Sequence, residues 1–176
     1  NKYWVFDGYH SSITSYDFGD DHGPGGEDHS DGIVRRYVPG EVKRVPGVVS
    51  HMELDHSSHL LYIADPGNHR IATLDISSGT VGASLPIQEN YDGTFQNRVD
   101  RAVLSTLIET SDFGYSDPSG LALHEDTLYV AGNDSATIYA FSLSGELIDW
   151  MVTDAAEGGL MGLAFNSSGH LFYVDV

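Results

Sequence analysis

Short apolar runs recur along this chain, each bounded by Gly, Asn, Asp or Ser. Tyr3-Trp4-Val5-Phe6, Leu60-Leu61-Tyr62-Ile63-Ala64, Leu128-Tyr129-Val130-Ala131 and Leu171-Phe172-Tyr173-Val174 are of this kind. Runs this short, rich in β-branched and aromatic residues and closed by turn formers, predict β-strands. They are continuous rather than alternating, as expected of strands buried on both faces. Ile71-Ala72-Thr73-Leu74 and Ile138-Tyr139-Ala140-Phe141 supply a following strand. Glu146 to Val152 supplies an outer one, in which alternation partly returns. Ala102 to Ile108 reads as another outer strand, with a short helix over Arg98 to Glu109 as the alternative.

The runs belong to a repeat. Ser50 to Asp55, a polar turn and Leu60 to Asp75 form one copy; Pro118 to Leu123, a turn at Glu125-Asp126 and Leu128 to Phe141 form a second. Met161 to Phe165 with Leu171 to Asp175 begins a third, and Tyr3 to Asp17 is a copy without its first strand. A lone four-stranded sheet cannot bury its own faces, so such a repeat predicts sheets stacked around a common axis.

Leu61-Tyr62-Ile63-Ala64-Asp65-Pro66-Gly67-Asn68-His69-Arg70-Ile71 resembles the core of an NHL repeat, typically L-Y-V-A-D-x-G-N-H-R-I. Pro118-Ser119-Gly120-Leu121-Ala122-Leu123 resembles the P-x-G-I-A-V opening of the same repeat. The resemblance implies an all-β fold: a β-propeller of four-stranded antiparallel blades, about three plus partial ones, from a six-bladed ring. The blade parts expected are 1–49, 50–117, 118–160 and 161–176, with loop insertions at 19–32 and 81–99. The chain starts at Asn1 and stops within a strand-like run, so the remaining blades are expected outside it.

Charge narrows the function classes. Asp plus Glu number 26 against 8 Lys plus Arg, a formal net charge of −18. Such a surface disfavours nucleic acid and anionic membranes and favours cations, basic partners or simply solubility. There is no Cys, which excludes disulfides and thiolate metal sites. No apolar run approaches the length of a membrane helix, and no nucleotide-binding loop or Ser-hydrolase elbow is present. The acidity, the low Lys content and the resemblance together suggest an extracellular or periplasmic setting.

Three places carry candidate chemistry. The Gly-rich loop Asp20 to Gly32 gathers Asp20, Asp21, His22, Glu27, Asp28, His29 and Asp31. Carboxylates suit Ca²⁺, and His with carboxylate suits Zn²⁺ or Cu²⁺; a polar surface loop is the plainer alternative. His51 stands where the other copies have Gly120 and Gly162, at the mouth of a first strand and thus at the expected central channel. Asp7-Gly8-Tyr9 resembles a segment of the peptidyl-hydroxyglycine lyase branch of this fold, in which the Tyr is functional. That resemblance makes Tyr9 and His51 weak catalytic candidates. The zinc-binding His of that branch aligns with Ser50, its functional Arg with Pro66, and a further zinc His with Ser119.

Several residues read as structural. Asp65 and Asp175 are expected to cap turns, and Arg70 to link to a neighbouring blade. Trp4, Trp150, Tyr62, Tyr129 and Tyr173 are expected to pack between blades, and His56, His59, His124 and His170 to be exposed in turns. Arg35 and Arg36 are expected to pair with the acidic loop. Three functions fit: a module binding a small molecule, cation or protein on its loop face, a metal-dependent lyase or lactonase-type hydrolase with a metal near the channel, or a Ca²⁺-stabilised structural propeller with the acidic loop as its ion site. A divalent metal is the only cofactor implied, with no nucleotide cofactor and no membrane span.

Overall fold

The computed structural model describes residues 2–20, 23, 30–86 and 93–176. Among them the protein is all-β: fifteen strands, two short 3-10 turns and no α-helix. No described helix is long and apolar enough to cross a membrane. The chain divides into two compact units, Asn1–Val42 with Ser78–Ala102, and Lys43–Ser77 with Val103–Val176.

The second unit holds three of the four copies of the repeat. One sheet has the order β4 (Met52–Asp55), β5 (Leu60–Asp65), β6 (Arg70–Asp75), β9 (Val103–Glu109), all antiparallel. A second has β10 (Pro118–His124), β11 (Thr127–Gly132), β12 (Thr137–Ser142) and β13 (Leu147–Val152), again antiparallel and in chain order. A two-stranded sheet of β14 (Leu160–Phe165) and β15 (Leu171–Asp175) follows. The outer-strand reading of 102–108 is met by β9, not by a helix.

The continuous apolar runs of β5 and β11 become doubly covered strands here, whereas the run Leu171 to Val174 leaves Phe172 and Val174 exposed. Leu121, Leu128, Val130, Tyr139 and Phe141 pack from one face of the second sheet against Tyr62, Ala64, Ile71 and Ile108. Ala122, Ala131 and Ile138, one position along on the same strands, pack against Leu160 and Leu163. Strand periodicity of two sends neighbours to opposite faces, so both must be apolar when both are covered. Each fully buried side chain such as Phe141 or Leu128 contributes roughly 1.5–3 kcal/mol.

First strands also lie against one another: β10 packs on β4 and on β14. Gly120 permits the second contact, because a Cβ there would lie 2.7 Å from the Met161 carbonyl oxygen and 2.9 Å from the Leu163 nitrogen. Ser119 Oγ, fully buried, fastens the seam by donating to the Leu160 carbonyl at 2.7 Å. Asn133 Nδ2 adds bonds to the Gly158 and Leu160 carbonyls.

The first unit is a five-stranded sheet in the order β1 (Lys2–Asp7), β2 (Ser12–Asp17), β3 (Ile33–Tyr37), β8 (Phe95–Asp100), β7 (Thr80–Ser84). The 81–99 stretch, expected as an inserted loop, therefore contains paired strand at both ends. Strand β8 runs parallel to β3, with Val34 opposite Gln96 and Arg36 opposite Arg98. An open edge strand leaves a row of unpaired backbone groups, and the inserted strand satisfies those of β3.

Candidate functional site

His51 immediately precedes β4, and its backbone ties two sheets of the second unit together. Its N–H donates to the Ser119 carbonyl at 3.1 Å, and its carbonyl accepts from Ala64 N–H at 2.9 Å. The imidazole points at Gly162 of β14: a Cβ on Gly162 would lie 3.3 Å from His51 Cε1 and 3.7 Å from Nε2. The third copy thus lacks a side chain where the first presents a ring. Around them is a cavity of about 390 Å³, walled by Val49, Met161, Leu163, Phe172 and Val174. Tyr173 also lines it, with its hydroxyl engaged by Asp154. The imidazole is therefore a lone polar ring among aliphatic and aromatic walls, an arrangement suited to a small ligand with one hydrogen-bonding group. Ser50, aligned with the zinc-binding His of the lyase branch, buries its Oγ without a hydrogen-bond partner among the described residues.

Tyr9 belongs to the first unit, in the turn after β1, and is 84% exposed. Its ring meets His10 edge-on at 4.7 Å. The turn is organised by Asp7, whose Oδ1 accepts from Tyr9 N–H at 3.2 Å and His10 N–H at 3.1 Å. Asp7 Oδ2 lies 2.7 Å from His10 Nδ1 and 3.6 Å from Arg36 Nη2. Burial opposes the Asp7 charge, but the His10 hydrogen bonds and the His10 and Arg36 charges outweigh it, holding the carboxyl below its ordinary range. This Asp7–His10–Arg36 cluster joins β1 to β3, and only its Asp7 stood in the motif noticed in the sequence.

Of the acidic loop, Asp20 and Asp31 are described, and they meet: Asp20 N–H donates to Asp31 Oδ2 at 2.7 Å, closing the neck of the loop. Asp21, His22, Glu27, Asp28 and His29 lie outside the described residues. Among the described residues no three His, Asp or Glu side chains converge as metal ligands would. Arg35 Nη1 bonds the Val34 and Phe95 carbonyls and Asn97 Oδ1, and Arg36 pairs with Asp7 rather than with Asp20 or Asp31.

The NHL-like motif folds into a buried polar knot. Asp65, with no exposed side-chain surface, accepts from Lys43 N–H at 2.7 Å, Asn68 Nδ2 at 2.8 Å and Arg70 Nε at 2.9 Å. It thus ties β5 to the segment entering β4, beyond the local turn expected of it. Arg70 Nε bonds Asp65 and its Nη1 bonds Thr106 Oγ1, both within its own sheet. Asp134 repeats the device, accepting from Ser116 and Asp117 N–H ahead of β10. Two other expectations are corrected. Trp150 is 59% exposed because β13 is an edge strand, and His124 is half-buried because it stacks on Phe165 at 4.3 Å.

In comparison with known proteins, the chain matches no family model and no curated protein.

Proposed function

We propose that this chain is a section of an NHL-type β-propeller and that it acts as a ligand-binding module, with His51 as the polar contact for a small, largely apolar ligand. Three features support the propeller. Two copies of the repeat fold into four-stranded antiparallel sheets in simple chain order. In the second unit these sheets stack face to face, and their first strands, β4, β10 and β14, lie side by side. A first-strand-to-first-strand seam is what radial packing around an axis requires.

One observation carries the binding role: a His replaces Gly in one copy while the copy it faces keeps Gly162, so that the imidazole enters an apolar cavity. A ring placed only to fill space would need no such cavity beside it. The acidity of the whole chain adds attraction for ligands of positive charge.

Histidine-resolved NMR during titration with p-cresol, an apolar ring with one hydroxyl, tests this reading. The His51 ring signals should move saturably, and Gly162→Val, which fills the cavity, should abolish the response while the other His signals stay in place. No shift at His51 sinks the binding role. A stoichiometric response of His51 to ZnCl₂ in place of p-cresol would favour the metal-dependent enzyme instead.

A further inference from the structure

The first unit carries a cavity of its own, of about 260 Å³. Strand register assembles it. Lys2 opposes Asp17, which opposes Ile33, and Ser15 opposes Arg35. Directly opposed residues share one face of a sheet, so these side chains collect on one side. Tyr37, two residues after Arg35, joins them, and Thr80 at the start of β7 adds another hydroxyl.

The lining has a chemistry unlike the rest of the chain. Two cations, Lys2 and Arg35, face one carboxylate, Asp17, for a local charge of +1 in a chain of −18. Arg35 is held in place through Nη1 alone, on Val34 O at 3.1 Å, Phe95 O at 3.2 Å and Asn97 Oδ1 at 3.1 Å. Its Nε and Nη2 make no hydrogen bond among the described residues and form the edge that grips a carboxylate with two parallel bonds. Asp17 accepts Gly19 N–H on Oδ1 at 3.3 Å and keeps Oδ2 for a hydroxyl. Ser15 and Tyr37 are buried hydroxyls hydrogen-bonded to each other. Burial raises the Tyr37 pKa despite that bond and the nearby Arg35 charge, so the phenol keeps its proton as a donor.

We infer that this cavity binds a small polyhydroxylated carboxylate, such as a sugar acid, with the carboxylate on Arg35 and Lys2 and the hydroxyls on Asp17, Ser15 and Tyr37. The volume agrees: it lies below the range of roughly 300–1,000 Å³ of drug-sized pockets, as a single sugar ring requires. A bare inorganic anion brings no hydroxyl for Asp17 Oδ2. A neutral sugar leaves the Arg35 edge without one. The ligand must carry both kinds of group.

Isothermal titration calorimetry of the chain with sodium D-glucuronate, D-glucose and sodium sulfate tests the inference. Glucuronate should bind saturably, with glucose and sulfate each about tenfold weaker or more, since each lacks one charge-assisted set of bonds. Lys2→Gln and Asp17→Asn alter groups at the rim and should each weaken glucuronate roughly five- to tenfold with the thermal melt unchanged. The Gly162→Val variant should bind glucuronate like the parent chain. Absence of saturable glucuronate binding, equal binding of sulfate or of glucose, or unchanged affinity in both rim variants would overturn the proposal.

Discussion

Replacing Asp65 with Asn removes one charge and almost no volume, so its effect isolates the buried polar knot. The Asp65 carboxylate has no exposed surface and takes three donors, from Lys43, Asn68 and Arg70. An Asn side chain offers one carbonyl oxygen and turns an N–H pair toward the remaining donors. Arg70 then loses the charge of Asp65 beside it. Stranding one partner of a buried pair costs about 3–5 kcal/mol. The Arg70 side chain keeps 18% exposure and its bond to Thr106, which favours the lower end, about 3 kcal/mol. For a chain of this length 1 kcal/mol moves the melting midpoint by roughly 2–4 °C, so a drop of about 6–12 °C is expected. Circular dichroism melts of D65N, R70M and the double variant give the readout. The double variant should be less damaged than the sum of the two singles, because each single variant already breaks the same Asp65–Arg70 pair. Amide exchange at Lys43 and Gly67, whose backbones bond at 2.8 Å beside this knot, should quicken in D65N. A D65N melt within about 2 °C of the parent, or strict additivity with R70M, would refute the reasoning.

Other outcomes follow from the same geometry. Gly120→Ala should lower stability by about 1–3 kcal/mol or more in urea titration, since the added Cβ meets backbone atoms of β14 that cannot rotate away; a neutral result would mean that β10 and β14 are not in contact. Tyr115 is 2% exposed and its hydroxyl has no hydrogen-bond partner among the described residues, so Tyr115→Phe should be neutral or stabilising by up to about 1 kcal/mol, and a loss of that size would reveal a partner. Glu53 has its pKa raised by burial, so its contribution to stability is fully present below the unfolded-state value and is lost as pH rises through the folded-state value. Glu53→Gln should therefore stabilise the chain at neutral pH and lose that advantage in acid; an effect independent of pH would contradict this.

Much of the second unit was legible because its apolar runs carry two messages at once. Leu121-Ala122 and Val130-Ala131 are apolar at adjacent positions, and only a strand covered on both faces needs that. The inserted strands β7 and β8 were hidden for the opposite reason. Val81-Gly82-Ala83-Ser84 and Phe95-Gln96-Asn97-Arg98 bury little, and the pairing of β8 with β3 and of β7 with β8 is made by backbone bonds that leave no side-chain pattern. Long-range hydrogen bonds were likewise invisible. Asp65 announced a turn, but Lys43 lies 22 residues upstream of it. The substitution of His51 for Gly was visible in the repeat, whereas the cavity beside it depends on Gly162 from another sheet. The polar cavity of the first unit draws on β1, β2 and β3 and on residues 78–81, so no single stretch of sequence contains it.

The account rests on first strands that converge, so that residues belonging to different copies of the repeat meet at one place. A nuclear Overhauser effect between the His51 ring Hε1 and the Gly162 α-protons measures that meeting directly, since Cε1 lies 3.3 Å from where a Gly162 Cβ would be. A strong cross-peak that disappears in His51→Ala is the expected result. Its absence in the folded parent chain, with both residues assigned, would contradict the arrangement of β4, β10 and β14 and the binding role built on it.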